Sequence, residues 1–214
     1  MNNLAYLVQE PKIKKDKNPL LLLIHGYGSN EEDLFSFASE LPEDYYVVSV
    51  RAPHQLQPYG YAWYAITITE DMNKFSDDNQ AIASREMLNN LVDELIQKYA
   101  IDPNDINLLG FSQGCILSYA LALSYPERYK KVVALSGYLN PKIIQSGVEE
   151  KDFSNLKFFI SHGVSDQIVP FEWGKNATLF LDKLGIQNQF HSYPVGHTIN
   201  MNIFFDFKNF ILNQ

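Results

Sequence analysis

The chain has 214 residues, 46% hydrophobic and 20% charged, with a formal net charge of −8 and a pI near 5.1. That length supports one domain (1–214) with a sizeable core, and the balance is globular rather than disordered or membrane-bound. The negative charge argues against a nucleic-acid partner, and the one cysteine, Cys115, excludes an intrachain disulfide and a thiolate cluster for zinc.

The N-terminal stretch MNNLAYLVQEPKIKKDKN has no apolar run long enough for a signal peptide. The LLLLI run, Leu20 to Ile24, is too short to span a bilayer, and neither end carries a lipidation motif. The expectation is a soluble protein with no integral membrane segment, in a reducing, cytoplasmic setting.

In chain order, LAYLVQ (Leu4–Gln9) is a candidate edge strand and PLLLLIHG a buried strand ending at a glycine. NEEDLFSFASEL predicts a helix, with Asn30 as N-cap and three acids in the first turn, where the helix dipole favours them. YYVVSVRAP predicts another strand. The stretch from Ala52 to Asp78 is aromatic-rich and lacks clear periodicity, and a loop of that size in a compact domain is usually functional. Between Gln80 and Tyr99, the residues Leu88, Leu91, Val92, Leu95, Ile96 and Tyr99 form a helical stripe.

INLLGF then predicts a strand, and CILSYALALSY a helix that is apolar nearly all round and therefore buried. KVVALSG and LKFFISHG predict strands, FEWGKNATLFLDKLG a helix, QFHSYP the last strand and INMNIFFDFKNFIL the last helix. Buried strands alternating with helices imply a largely parallel sheet covered on both faces. Ligands in such folds bind at the carboxyl ends of the strands.

One polar triplet interrupts the apolar run INLLGFSQGCILSYALAL. GFSQG fits G-x-S-x-G, which arises by chance in roughly several per cent of chains this long. Its context is more specific: a strand runs into it and a buried helix leaves it, as a nucleophile elbow requires. A side chain at Gly110 or Gly114 would collide with the closely packed strand and helix backbones. The competing reading is an ordinary turn with a capping serine.

A serine hydroxyl needs a base, and the base needs an orienting acid, in the chain order serine, acid, histidine. His25, His54 and His162 come too early, and His191 falls within the last strand. His197, in YPVGHTIN, lies just beyond that strand and is the candidate base. For the acid, FFISHGVSDQIVP places Asp166 at a strand end, whereas Glu172 and Asp182 fall on the following helix and Asp152 precedes the strand. An oxyanion hole needs one backbone N–H after the nucleophile, from Gln113, and one from the loop after an early strand. HGYGS, His25 to Ser29, offers Tyr27 for the second, although HGYG alone is equally a tight turn.

These stretches together resemble the phospholipase/carboxylesterase family of α/β-hydrolases, which contains the acyl-protein thioesterases. The resemblance covers nearly the whole length, through LLLLIHGYGSNEEDL, RAPHQLQP and YAWYAI, INLLGFSQGCILSYALALSYPERYKKVVALSG, HGVSDQIVP and YPVGHTI. It implies an α/β-hydrolase fold and a Ser112–Asp166–His197 triad with Tyr27 and Gln113 as oxyanion donors. It implies no metal and no organic cofactor. Ala65 departs from the aspartate that family members often carry after the Trp-Phe/Tyr pair, and Trp173 adds unusual bulk beyond the acid loop. Trp63 and Tyr64 either line the acyl pocket or simply seal the core. Cys115 reads as a small buried residue.

The expected activity is hydrolysis of carboxylic esters with small to medium acyl chains, through an acyl-enzyme. A thioesterase or lysophospholipase acting on lipidated substrates is the alternative with the same chemistry, and a catalytically silent binding module is the alternative of another class. The expected partner is a small-molecule or lipid ester, and the expected assembly a monomer or homodimer. Only about twenty residues, Tyr138 to Asn155, separate two strands where a lid would be inserted, too few for a cap domain. An open site is therefore expected, walled by Trp63, Tyr64, Tyr27 and Phe111.

Overall fold

The computed structural model describes residues 4–68 and 74–213. Its frame is a seven-stranded sheet of β1 (Tyr6–Gln9), β2 (Asn18–Ile24), β3 (Tyr46–Val50), β8 (Ile101–Phe111), β9 (Tyr129–Leu135), β10 (Lys157–Gly163) and β11 (Gln187–Tyr193). The spatial order is β1-β3-β2-β8-β9-β10-β11. Only β1 runs antiparallel to its neighbour; the other pairs are parallel. Short paired strands occupy the aromatic stretch: β4 (His54–Gln55) with β5 (Tyr61–Ala62), and β6 (Ile66–Ile68) with β7 (Lys74–Ser76). Within that stretch, 69–73 lie outside the described residues.

The period of two in β2 divides the core. Leu20, Leu22 and Ile24 pack on one face with Leu88, Leu91 and Leu95 of α2 (Asp78–Lys98), Leu117, Tyr119, Leu121 and Leu123 of α3 (Gln113–Ser124), and Ala177 and Leu181 of α4 (Phe171–Lys183). Leu21 and Leu23 pack on the other with Leu34 of α1 (Glu31–Phe35) and Ile203, Phe204, Phe207 and Ile211 of α5 (Met201–Leu212). Burial on both sheet faces explains why the central strands read as continuous apolar runs. No helix among the described residues is long and apolar enough to cross a membrane.

Asn30 caps α1, accepting the Glu32 N–H at 2.9 Å. The helix expected through Leu41 stops at Phe35 and resumes as a 3-10 turn at Ala38–Glu40. The Ser36 hydroxyl donates to the Asp33 carbonyl at 2.6 Å, and such local bonding competes with the helical ladder. Strand β8 starts at Ile101, five residues before the apolar run, because Ile101 still pairs with Asn18 across an irregularity. Between β9 and β10 the chain forms two 3-10 turns, Pro141–Ile143 and Val148–Glu150, with no helical cap.

Burial is complete at Leu121 on α3, whereas Leu179 on α4 is 60% exposed. Leu121→Ala is expected to cost about 2–5 kcal/mol of unfolding free energy, from lost transfer energy and the cavity left behind. Leu179→Ala should stay within about 0.5 kcal/mol. Denaturant titration of both variants measures the contrast.

Candidate active site

The carboxyl end of β8 delivers Ser112 in a strained turn, φ 54° and ψ −115°, a conformation costing about 1–3 kcal/mol for a residue with a side chain. The Ser112 N–H donates to Leu135 O at 2.9 Å, and its carbonyl accepts from Ile116 N at 3.2 Å, the start of α3. Strand and helix close so tightly that a Cβ on Gly114 would stand 1.9 Å from Ile24 O. One on Gly110 would stand 2.4 Å from Gly114 O.

Asp166 leaves the end of β10 and His197 the loop after β11, adjacent parallel strands whose register pairs Gly163 with Tyr193. His197 Nε2 lies 2.9 Å from Ser112 Oγ, and Nδ1 lies 2.7 Å from Asp166 Oδ2. A carboxylate only accepts, so Nδ1 carries the hydrogen and Nε2 is free to take the serine proton. The other carboxylate oxygen accepts the Ile168 and Val169 N–H groups at 2.8 and 2.9 Å. Burial alone would raise the Asp166 pKa. The Val169 N–H, the His197 ring and the Ile168 N–H together outweigh it and hold the carboxyl below its ordinary value. Asp166 therefore stays ionised at neutral pH. The stability this ionisation contributes is present above the unfolded carboxylate range and lost as pH falls through the depressed value.

Gln113 is the first residue of α3, where a backbone N–H has no partner within the helix. Its side chain clamps the aromatic loop: Oε1 accepts the Trp63 N–H and Nε2 donates to Tyr64 O, both at 2.8 Å. The loop after β2 is pinned as firmly. Gly28 N donates to Tyr61 O at 2.9 Å and Ser29 N to Gly26 O at 3.3 Å, neither bond using the Tyr27 N–H. His25, at the start of this loop, is buried. Its Nε2 accepts the Ala52 N–H at 3.0 Å, so Nδ1–H donates to Gly26 O at 2.7 Å. Burial lowers the His25 pKa and keeps the ring neutral.

Ser112, His197, Tyr27 and Gln113 line one groove of about 550 Å³. Tyr64 lines it too, but Trp63 does not: it is fully buried, and its indole N–H donates to His25 O at 2.9 Å. The two lie in a bend just past β5, and only Tyr64 reaches the groove. Phe111 is likewise not a wall. Half-buried, it packs against the core on the α5 face, its ring 4.8 Å from that of His197. Ile66, Ile116, Tyr138 and Ile168 complete the apolar lining with Trp173, which meets Tyr138 edge-on at 5.2 Å. Ile116 was legible as one turn beyond Ser112 on the same helix face. Tyr138 was legible as lying just past the carboxyl end of β9. Cys115 is buried, and burial pushes its thiol pKa up, which suits packing rather than nucleophilic chemistry.

A mostly parallel sheet covered by helices, with a strand–serine–helix turn at its carboxyl edge, defines an α/β-hydrolase. Solved structures agree. A Bacillus cereus carboxylesterase superposes with a TM-score of 0.83 at 23% identity, over 98% of this chain and 93% of that one. Esterase PE8 superposes with a TM-score of 0.80 at 26% identity, over 98% of each. The phospholipase/carboxylesterase family model matches residues 5–213, and the chain belongs to that family. It is 35% identical over 130 residues to acyl-protein thioesterase 1 of Debaryomyces hansenii, covering 60% of this chain and 56% of that protein. The alignments span little more than half the length of the first curated relatives matched.

Asp182 is exposed on α4, its carboxylate accepts from Asn188 Nδ2 at 2.8 Å, and it does not line the groove. Asp166→Asn is expected to keep the fold and lower turnover by as much as about 10⁴-fold, because the imidazole would be held in the wrong tautomer. Asp182→Asn should leave turnover near wild type. Steady-state assays with circular dichroism check the pair, and the reverse ranking would reassign the acid.

Proposed function

We propose that this protein is a serine esterase that cleaves carboxylic esters through an acyl-enzyme, with Ser112 as nucleophile, His197 as base and Asp166 as orienting acid. The observation that carries this reading is the unbroken hydrogen-bonded chain Ser112–His197–Asp166 opening into an apolar groove. His197 Nε2 takes the hydroxyl proton as Oγ bonds to the acyl carbon, and the carbonyl electron pair moves onto oxygen. The backbone N–H groups of Tyr27 and Gln113 receive that oxyanion. Collapse breaks the bond to the leaving oxygen, which takes the proton from Nε2. Water then repeats the sequence on the acyl-enzyme and frees Ser112. Every group in this scheme comes from one chain, so a monomer suffices for the chemistry.

A thioesterase reading uses the same groups with a sulfur leaving atom. It is favoured by relatives named acyl-protein thioesterase 1 in Debaryomyces hansenii and Aspergillus fumigatus. Matched oxygen and sulfur esters of one acyl chain, compared by kcat/KM, separate the two.

A fluorophosphonate probe should label the wild type, with the adduct mapping to Ser112. Ser112→Ala should lose the label and several orders of magnitude of ester turnover, because members of a triad act as a unit. Undiminished labelling of that variant removes Ser112 from the scheme, and an unlabelled wild type favours a silent binding module.

Acyl length is set by the groove. Each methylene taken from water contributes up to about 0.8 kcal/mol, but a groove open to solvent covers only part of a long chain. In a nitrophenyl-ester series, kcat/KM should rise over the first few acyl carbons and then level off. No jump in rate is expected where the substrate forms micelles, since the β9–β10 connection carries no cap. Such a jump would reveal a closing lid.

A further inference from the structure

A second histidine, unused in the scheme above, lies beneath the acid. His162 sits on β10 with no solvent exposure. Its Nε2 is 2.9 Å from Val169 O and 3.4 Å from Asp166 Oδ2. Both oxygens only accept, so Nε2 carries the hydrogen. Its Nδ1 has no hydrogen-bond partner, and α4 crosses directly over that atom: a Cβ on Gly174 would stand 2.2 Å from it. The edge of the Phe171 ring closes another side, with centroids 6.0 Å apart.

A buried ring nitrogen without a partner is unfavourable, and a leucine or phenylalanine would fill such a space without that penalty. Packing therefore does not account for an imidazole here, whereas its one donated bond does. Val169 is held through both of its main-chain polar groups. Its N–H grips Asp166 Oδ1 at 2.9 Å, while its carbonyl is gripped by His162. His162 Nε2 also lies 3.4 Å from Asp166 Oδ2, the oxygen that meets His197.

We infer that His162 is a positioning residue for the acid: its Nε2–H anchors the Asp166–Val169 turn through Val169 O and thereby aims the carboxylate at His197. This rests on the esterase reading above for its kinetic consequence, but the geometric consequence stands without it. The test compares His162→Leu, which removes the donor, with His162→Gln, whose amide N–H reaches nearly the place of Nε2–H. With a soluble nitrophenyl ester, His162→Leu should lower kcat by about tenfold or more, the scale on which outer partners of a site act, with KM little changed. His162→Gln should recover most of the loss.

Proton NMR of the His197 Nδ1–H, deshielded by its bond to Asp166, should show the resonance shifted in His162→Leu and returned toward wild type in His162→Gln. This reads the acid–imidazole contact even in a protein that hydrolyses no ester, so failure of the parent reading leaves a separate trace. Should His162→Leu not fold, His162→Asn takes its place, since its shorter amide falls short of Val169 O. It is expected to be impaired where His162→Gln is active. Equal kcat and an unmoved resonance across the donor-lacking and donor-bearing variants would overturn the assignment.

Discussion

The backbone of Gly114 lies against the carbonyl of Ile24 with no room for even a methyl group between them. This contact joins the first turn of α3 to the end of β2, and the arrangement of the groove follows from it. It brings the loop carrying Tyr27 beside the N-terminus of α3, where the Gln113 N–H and the helix dipole are directed. It also forces the chain at Ser112 into a positive-φ turn that lifts the side chain clear of the sheet. Leu135 O accepts the Ser112 N–H from the neighbouring strand, so the strain is held from both sides.

Three histidines surround this turn, and neighbouring atoms decide what each can do. His25 is locked neutral by a backbone donor at one nitrogen and a backbone acceptor at the other. His162 donates to a carbonyl and is closed off from solvent. Only His197 reaches the groove, with a carboxylate behind it and a hydroxyl ahead. The ring chemistry is the same in each case; exposure and the partner atoms differ.

The loop at Trp63–Tyr64 shows how a core contact shapes a substrate wall. The Trp63 indole N–H goes inward to His25 O, and Gln113 clamps the peptide on either side. Tyr64 thereby lines the groove together with Trp173 and Tyr138. The residue whose backbone is proposed to receive the oxyanion thus also fixes the apolar wall through its side chain. A change at Gln113 would disturb both.

The succession of strands and helices, the elbow around Ser112, and the places of Asp166 and His197 just past strand ends were legible in the sequence because they rest on local signals. Apolar runs, glycines beside a serine and loops just past strand ends need only a few neighbouring residues to be read. Tertiary structure alone decided which of Trp63 and Tyr64 faces the groove, that Phe111 packs behind His197, and that His25 and His162 hold loops in place. Each of these depends on partners brought close by the fold: His25 meets Ala52 and Trp63, Phe111 meets His197, and Gln113 meets Tyr64. Side-chain direction in a short irregular segment is set by which side finds a hydrogen bond or a cavity, and that choice exists only once the sheet has assembled.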